Sequence, residues 1–555
     1  MKKGKDLLLL CLLLFMPFMA VAQEPATANS YIQQHIEQIQ VQQKYRVGEE
    51  QIIARDLLPP LYSNNQFKLL WHNTSSVTQL LKAIGQSNLE GLTPGDYHLK
   101  SLQRLVKQRT AGMDYPSLKA DFDILLSDAF IRLAYDKKFG KVDPQRLNPD
   151  WNLPEKKIGR DLVLRVDKAI ANGTVDTSLN TLSPQFPIYD HLKNALAKYR
   201  RIQEMGSWQP IGYGPVLKPG MEDARIPILR KRLLSVGELT VSDHDFLLFD
   251  KQLEQAVISF QQRHYLEADG VIGKQTLSVL NQSVEQKIDQ IRVNLERARW
   301  ILHDLPDSYI LVDIAGYSLV YHHKGKVIWN TRVVVGKPFH ETPVFRADMK
   351  YLVINPTWTL PRSIITNETL PKIIRDPSYL QINNFEVIDH QGNWVNPASI
   401  NWHSYSGRSF PYGIRQKPGP HNALGRIKFI FPNSHAVYLH DTPSRSLFGK
   451  DQRAFSHGCI RVDQPVTLGE LILKNDGQNW DKDRIEAVID TQKITTVKLN
   501  THLPVMLLYW TVNASNGDDN ILFKQDIYGR DKALLMELDG AFKFRGSVVN
   551  QVKAQ

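Results

Sequence analysis

Two short stretches of the sequence decide the fold and the chemistry: Tyr438-Leu439-His440-Asp441-Thr442-Pro443 and, further along, Ser456-His457-Gly458-Cys459-Ile460-Arg461-Val462. The alternating run that ends at His440 predicts a strand that delivers this histidine to the edge of a sheet. Gly458 allows a sharp backbone turn just before Cys459, which would aim N–H groups at an oxyanion. A cysteine is only slightly ionised near neutral pH, so a nucleophilic cysteine needs a base or a positive charge beside it. His440, His457 and Arg461 are the candidates, and the pattern predicts a cysteine nucleophile.

Each of these residues also has a purely structural explanation. Cys459 could be a buried, inert thiol, His440 a core histidine with satisfied hydrogen bonds, and Arg461 a partner in an ion pair. His440, His457 and Cys459 could instead bind zinc, but no second cysteine accompanies them and no helical histidine pair completes such a site. We therefore expect no metal.

The amino terminus indicates export. Three lysines, Lys2, Lys3 and Lys5, precede an apolar run at 7–19, and a small-x-small pattern ends at Ala22. This predicts a cleaved signal peptide at residues 1–22. The alternative is an uncleaved membrane anchor, for which the run is short and interrupted by Pro17. Association with a membrane is expected only in that case.

Cysteine usage becomes informative once the signal is set aside. The chain has two cysteines, and Cys11 would leave with the signal peptide. An exported protein with one remaining cysteine cannot form an internal disulfide, so Cys459 needs another reason to be there. A nucleophilic role provides one.

Length and charge set further bounds. A chain of 555 residues is too long for one hydrophobic core, so several domains are expected. The formal net charge of +11 favours nucleic acid, a membrane surface or an acidic envelope polymer as surroundings. The predicted export signal selects the periplasm or cell envelope, and we expect no nucleic-acid partner.

A histidine at a strand end, followed by Ser-His-Gly-Cys, resembles the L,D-transpeptidase family with its YkuD-type catalytic domain. The resemblance implies that His440 is the general base and Cys459 the nucleophile. It also implies a set of oxyanion or substrate-shaping residues, namely Ser456, His457, Gly458, Arg461 and Tyr438. No cofactor is implied. In the family a backbone carbonyl orients the histidine, so the Asp441 side chain is not expected to act as a protease aspartate does.

The resemblance covers residues 306–500, the expected mainly-β catalytic domain. Further segments carry it: Tyr309–Asp313 and Ser318–Tyr321 as a hairpin, Thr331–Gly336 as a strand, and Gly419–Phe429 leading towards His440. Residues 357–422 separate two of the family's strands and are too long for an ordinary connection. In the larger, YcbB-like members this position resembles a lid, which implies substrate contacts by Trp358, Trp402 and Tyr405. The alternative is a folded decoration with its own core.

Residues 220–285 resemble a small three-helix peptidoglycan-binding domain. Leu253, Val257 and Phe260 fall at helical spacing, and Asp269-Gly270 supplies a tight turn. Another small helical bundle with a glycine turn would give the same pattern. Residues 23–205 are helical by period and resemble the scaffold of YcbB-like members, while 501–555 form a C-terminal extension. The predicted fold class is multidomain α+β.

The resemblance implies a peptidoglycan enzyme. Cys459 would attack the bond between the third residue and the terminal D-alanine of a tetrapeptide stem, form a thioester, and pass the acyl group to a second stem as a 3–3 cross-link. The partners implied are donor and acceptor stem peptides, carbapenem-type inhibitors, and other cell-wall synthases and carboxypeptidases. The alternatives are an L,D-carboxypeptidase, a hydrolase that releases lipoprotein from peptidoglycan, and a non-catalytic wall-binding scaffold.

Overall fold

The structure is a computed structural model that describes residues 26–147, 152, 160–240, 247–303, 305–407, 409–514 and 521–541. The predicted signal peptide and the last part of the predicted C-terminal extension, from 542 onward, lie outside the described residues. None of the helices in the described ranges combines the length and the hydrophobicity needed to cross a bilayer.

The N-terminal region is helical, as predicted. It contains α1 (Ala28–Val41), β1 (Arg46–Val47), β2 (Glu50–Gln51), α2 (Leu58–Asn64), α3 (Thr74–Gln86), α4 (Leu99–Thr110), α5 (Pro116–Phe139), α6 (Pro144–Leu147), α7 (Arg160–Asn172), α8 (Val175–Asn180) and α9 (Pro187–Glu204). Helix α5 is buried along almost its whole length. Its buried carboxylates accept hydrogen bonds instead of facing water: Asp123 binds the backbone N–H of Leu70 and Trp71, and Asp128 binds that of Ala54.

A small helical domain follows, also as predicted. Its helices are α10 (Ile226–Val236), α11 (Lys251–Arg263) and α12 (Lys274–Leu280), packed on one apolar core. The turn after α11 depends on Gly270, which has φ 71°, a conformation that glycine adopts without strain. The Gln261 side chain holds this turn through Asp269, the Val271 carbonyl and the Gly270 N–H.

Helix α13 (Val284–Ile301) joins the three parts of the molecule and packs against α5, α9 and the C-terminal elements. Arg299, at the scaffold side of α13, has no exposed surface and pairs with Glu296 at 2.8 Å. It also donates to the Tyr189 hydroxyl and the Glu90 carbonyl. The Glu90 carboxylate in turn pairs with Lys137 at 2.6 Å. A buried charge network therefore fixes the scaffold to the helix that precedes the catalytic domain.

The catalytic region is built on one large sheet. Before an insertion, its strands are β3 (Tyr309–Asp313), β4 (Ser318–His323), β5 (Lys326–Gly336) and β6 (Phe345–Ile354). After the insertion, they are β11 (Ile427–Ile430), β12 (Leu439–His440), β13 (Ala454–Ser456), β14 (Ile460–Val462) and β15 (Thr495–Leu508). Helices α17 (Pro465–Asn475) and α18 (Lys482–Asp490) connect β14 to β15. The order is β13-β5-β14-β12-β11-β6-β15-β3-β4, and β4 also pairs with β5. The ladder thus closes on itself, which leaves few open edges.

The insertion folds as a unit with its own core. It comprises β7 (Trp358–Thr359), α14 (Arg362–Ile364), α15 (Leu370–Arg375), α16 (Tyr379–Ile382), β8 (Phe385–Ile388), β9 (Trp394–Val395) and β10 (Gly413–Gln416). Its strands form a separate sheet in the order β7-β10-β8-β9. The apolar cluster beneath this sheet is distinct from the core of the large sheet.

The structure bears on the expected domain boundary after residue 500. This boundary falls inside β15, a central strand that pairs with both β6 and β3. The chain continues as β16 (Val512–Ala514), β17 (Ile521–Phe523) and α19 (Arg530–Asp539), whose apolar side chains join the catalytic core. The described part of the extension is therefore part of the same fold as the large sheet and not an appendage.

The buried network on α13 gives a first prediction. Arg299→Met leaves Glu296 as an uncompensated buried charge, which should cost about 3–5 kcal/mol of unfolding free energy. Arg332→Met is the matched control, because Arg332 pairs with Asp463 at 2.7 Å but its side chain is 55% exposed, and exposed pairs contribute at most about 1 kcal/mol. Thermal and denaturant unfolding of both variants measure the difference. Equal losses would contradict the assigned role of the network.

Candidate active site

Strand pairing brings the predicted catalytic residues to one face of the large sheet. Strand β12 lies between β11 and β14, and His440 is opposite Lys428 on β11 and Arg461 on β14. The Ile460 N–H donates to the Tyr438 carbonyl, which extends the same register to Cys459. Alternate residues of a strand face opposite sides, so Tyr438, His440, Cys459, Arg461 and Lys428 share one face.

The opposite face of these strands is core. Leu439, Ile460 and Phe429 are completely buried in the large hydrophobic cluster. A shift of register by one residue would move these three into the site and the polar residues into the core. The apolar residues therefore fix the position of the polar ones.

His440 is buried, and its Nδ1 lies 2.5 Å from the Asp441 backbone carbonyl. A carbonyl can only accept, so Nδ1 carries the proton and Nε2 is left with a free lone pair. Burial, with a further contribution from the Arg461 charge, lowers the pKa of His440 to about 3. The imidazole is consequently a neutral base throughout the physiological range.

The Asp441 carboxylate takes no part in this arrangement. It accepts hydrogen bonds from the backbone N–H of Arg426 and Thr442 and pairs with Arg445 at 2.5 Å. Its role is to hold the loop after β12. The group that contacts His440 Nδ1 is the backbone carbonyl of Asp441.

Cys459 is half-buried at the end of the turn that precedes β14. Its sulfur lies 3.8 Å from the Ala436 carbonyl and interacts with the Tyr438 hydroxyl. Burial raises the pKa of the thiol, although Tyr438 and the charges of Lys428 and Arg461 act in the opposite direction. The free enzyme therefore holds a neutral thiol beside a neutral imidazole.

The turn before Cys459 is held by Ser456 and Thr342. The Ser456 hydroxyl donates to the Cys459 carbonyl at 2.6 Å and accepts from the Gly458 N–H at 3.1 Å. The Thr342 hydroxyl donates to the Gly458 carbonyl. Gly458 has φ 110°, which other residues rarely adopt. Its N–H is already engaged, so the Cys459 N–H, which donates to no group among the described residues, is the backbone donor left for an oxyanion.

Lys428 was not predicted as a site residue. It is half-buried, and its Nζ lies 3.7 Å from the centroid of the Tyr438 ring. It contributes to the low pKa of His440 and favours ionisation of Cys459. The available signal was a lysine placed between two apolar residues in the strand that leads to the histidine.

The insertion contacts the site at two points. The Trp358 indole on β7 interacts with the Tyr438 hydroxyl. Glu368, in the helical segment before α15, lies 3.0 Å from His457 Nε2, and His457 also packs against His340. His457 is exposed and meets the insertion, whereas His440 is buried.

Trp402 and Tyr405 are not placed as the lid interpretation implied. Trp402 is only 7% exposed and stacks on Phe410 inside the insertion's own core. Tyr405 packs edge-on against Phe410 and Tyr412. Their aromatic surface was needed to build the insertion, because a small subdomain has few other residues with which to form a core. Of the three aromatics, only Trp358 contacts a residue of the site.

Comparisons with known proteins agree with this division of the chain. Residues 307–489 match the family described as "L,D-transpeptidase catalytic domain", residues 222–280 the "Putative peptidoglycan binding domain", and residues 56–196 the "Scaffold domain". A "Putative L,D-transpeptidase" of Haemophilus influenzae is 40% identical over 255 residues, 45% of this chain and 50% of that protein. The chain thus spans about half the length of the curated relative that it matches.

Solved structures of L,D-transpeptidases also match the chain, at low sequence identity. An L,D-transpeptidase from Mycobacterium smegmatis is 14% identical, covers 36% of this chain and 58% of its own, and has a TM-score of 0.18. A mutant of the Enterococcus faecium L,D-transpeptidase is 15% identical, covers 57% of this chain and all of its own, and has a TM-score of 0.19.

Most of the large sheet, at residues 307–489, therefore matches an L,D-transpeptidase catalytic domain. The chain combines this domain with an N-terminal scaffold domain and a small helical domain of the peptidoglycan-binding type. The predicted family resemblance and the predicted fold class are confirmed.

The neutral state of the thiol gives a second prediction. Alkylation of Cys459 by iodoacetamide should be slow at neutral pH and rise about tenfold per pH unit, without a plateau below pH 9, because only the thiolate reacts. The His440 imidazole should cause no inflection between pH 5 and 8, since its pKa is about 3. Mass spectrometry at fixed times measures the rate. A plateau that persists to acidic pH would reveal a preformed thiolate–imidazolium pair instead.

Proposed function

We propose that the chain is a peptidoglycan L,D-transpeptidase with Cys459 as nucleophile and His440 as general base. The observation that carries the proposal is the pairing of β12 with β14, which brings His440 and the segment of Cys459 to the same face of the sheet. The Nδ1 proton of His440 is committed to a backbone carbonyl. The free Nε2 lone pair is then available to the thiol proton. The surrounding domain is of the L,D-transpeptidase type, and this supports a peptide stem of the cell wall as the substrate.

The reaction begins when a tetrapeptide stem places the carbonyl of its third residue at the sulfur. His440 Nε2 takes the thiol proton as the sulfur attacks the carbonyl carbon, so that charge develops only as the new bond forms. The Cys459 N–H donates to the oxyanion, a contact of a kind that contributes about 3–4 kcal/mol. The intermediate collapses, His440 returns the proton to the leaving nitrogen, and D-alanine departs from the thioester.

The second half-reaction reverses these roles. The side-chain amine of an acceptor stem attacks the thioester carbonyl while His440 removes a proton from its nitrogen. The carbon–sulfur bond breaks, the sulfur recovers the proton from His440, and a 3–3 cross-link remains. A neutral imidazole suits both steps because it must accept a proton twice in each cycle.

The insertion acts as a lid in this proposal. Its contacts with Tyr438 through Trp358 and with His457 through Glu368 couple it to both stretches that carry the catalytic residues. A closed lid excludes water from the thioester, which favours an amine acceptor over hydrolysis. The insertion's own core allows it to move as a unit.

A peptidoglycan substrate also implies a role for the small helical domain, a location for the chain and a set of partners. The small helical domain would bind the wall polymer, and an exported chain would act in the periplasm or cell envelope. Donor and acceptor stems are the primary partners, and carbapenems would acylate Cys459 as substrate mimics. Cell-wall synthases and carboxypeptidases would supply its donors.

A third prediction tests the nucleophile and the base. Cys459→Ala should abolish both the acyl-enzyme, seen by intact mass as the donor less D-alanine, and the 3–3 dimers seen in muropeptide analysis. His440→Ala should slow acylation by about 10²–10⁴-fold, the usual contribution of a general base. His323→Ala, a half-buried histidine elsewhere on the same sheet, is the control. An acyl-enzyme on the Cys459→Ala variant would refute the assignment.

A fourth prediction tests the lid. Glu368→Gln removes the ion pair with His457 and should shift the products from cross-link towards hydrolysed tripeptide several-fold, while donor acylation changes less. Asp376→Asn, an exposed carboxylate on the same insertion that caps Ser378, is the matched control. Product ratios with a fixed concentration of acceptor amine measure the effect. If hydrolysis dominates in the unaltered enzyme as well, the chain is an L,D-carboxypeptidase or related hydrolase.

A further inference from the structure

Two cations lie on the catalytic face without a counter-ion. Lys428 projects from β11 and Arg461 from β14, one on each side of the strand that carries His440. Both side chains are half-buried, and the Nε of Arg461 is enclosed without a hydrogen-bond partner in the part of the chain that the structure describes. Within those same residues, no carboxylate forms an ion pair with either. The carboxylates nearest in sequence have other partners: Asp441 pairs with Arg445 and Arg426, and Asp463 pairs with Arg332.

A partly buried charge without a partner destabilises the fold, because it loses hydration and gains no compensating ion pair or hydrogen bond. The Lys428 ammonium is held instead over the face of the Tyr438 ring, an interaction that fixes its position but leaves its charge uncompensated. Both cations favour the ionised form of Cys459, which places them near the sulfur. Two positive groups fixed beside a nucleophile form a ready site for an anion.

We propose that Lys428 and Arg461 bind the carboxylate of the terminal residue of the donor stem, the residue that leaves. The inference rests on the proposed function and names the part of the substrate that the two cations recognise. A guanidinium and an ammonium give a carboxylate several charged hydrogen-bond donors. Lys428 then binds the terminal carboxylate of the donor stem, in addition to lying opposite His440 in the sheet.

Geometry selects this carboxylate among those of a stem peptide. The scissile carbonyl carbon must lie about 3–3.5 Å from the sulfur in a reactive complex. The carboxylate of the leaving residue is attached to the next α-carbon, about 3.8 Å from the one before it. It therefore stays within one residue of the sulfur, the region on which both cations act. Carboxylates elsewhere in the stem are not tied to that distance.

The arrangement also restricts the donor. A stem with one residue more would place its terminal carboxylate a full residue beyond the two cations and an uncharged amide between them. Such a stem loses the charged contact and leaves the buried cations unpaired. The pair would thus select stems that end directly after the scissile bond.

The test compares two donors, a tetrapeptide stem with a free terminal D-alanine and the same stem ending in D-alaninamide. Because hydrogen bonds to charged groups contribute about 1.5–3 kcal/mol, Lys428→Met should lower kcat/KM for the free donor by about 10–100-fold, mainly through KM. The amidated donor should lose several-fold less, because for this donor only a positive charge near the sulfur is removed. The preference of the unaltered enzyme for the free carboxylate should therefore collapse. Lys428→Arg, which keeps the charge, should retain most of the preference.

Lys350→Met, an exposed lysine on β6 of the same sheet, should leave both donors unaffected. A melting temperature and a circular dichroism spectrum check that each variant keeps its fold. An equal loss for both donors would overturn the proposal and make Lys428 a purely electrostatic neighbour of the sulfur. If the unaltered enzyme used the free and the amidated donor equally well, the proposal would be overturned before any variant is made. A failure of the proposed function differs from both, because neither donor would then form an acyl-enzyme.

Discussion

The pairing of β12 with β14 is the interaction on which the site depends. One face of these strands carries Leu439 and Ile460, both completely buried in the large core. The other face carries His440 and the segment that ends in Cys459. Burial of the apolar face fixes the register, because a slip by one residue would exchange the two faces. The separation between the proposed base and the proposed nucleophile is therefore maintained by hydrophobic packing on the opposite side of the sheet.

Burial also sets the chemistry of the two groups. It lowers the pKa of the imidazole and raises that of the thiol, so both are neutral at rest. A neutral pair gives little thiolate to react with oxidants, and in the proposed reaction it generates charge only when a substrate carbonyl is present to receive it. The cost is that the charged transition state needs nearby donors and cations. The Cys459 N–H, the Tyr438 hydroxyl, Lys428 and Arg461 are the groups available.

Buried contacts also connect the other parts of the chain. Helix α13 carries the buried Arg299–Glu296 pair and packs against the scaffold helices α5 and α9. It also packs against the C-terminal elements. Strand β15 passes through the centre of the catalytic sheet and leads into β16, β17 and α19, which complete the core. The scaffold helix α9, helix α13 and the large sheet thus contribute to one hydrophobic cluster. The insertion is the exception, because it has a core of its own and meets the site through a few polar contacts.

The sequence by itself determined a good deal. The spacing of histidine and cysteine and the glycine before the cysteine predicted a cysteine nucleophile with a histidine near it. The family resemblance that these motifs and the helical pattern carry implied the domain types and the hairpin β3–β4. These signals are local, since each depends on neighbouring residues or on a period of two or 3.6. The helical domain at Leu253–Leu280 was recognisable for the same reason.

Only the tertiary structure decided the rest. Lys428 enters the site because β11 pairs with β12, a contact between strands that no local pattern encodes. Trp402 lies in the core of the insertion and Trp358 at the site, although both are tryptophans of one aromatic segment, because packing within a small subdomain determines which ring is buried. The boundary at residue 500 fell inside a strand whose pairing with β3 and β6 could not be read from one segment. The protonation of Cys459 and His440 depends on how deeply the fold buries them, and burial is a property of the whole chain.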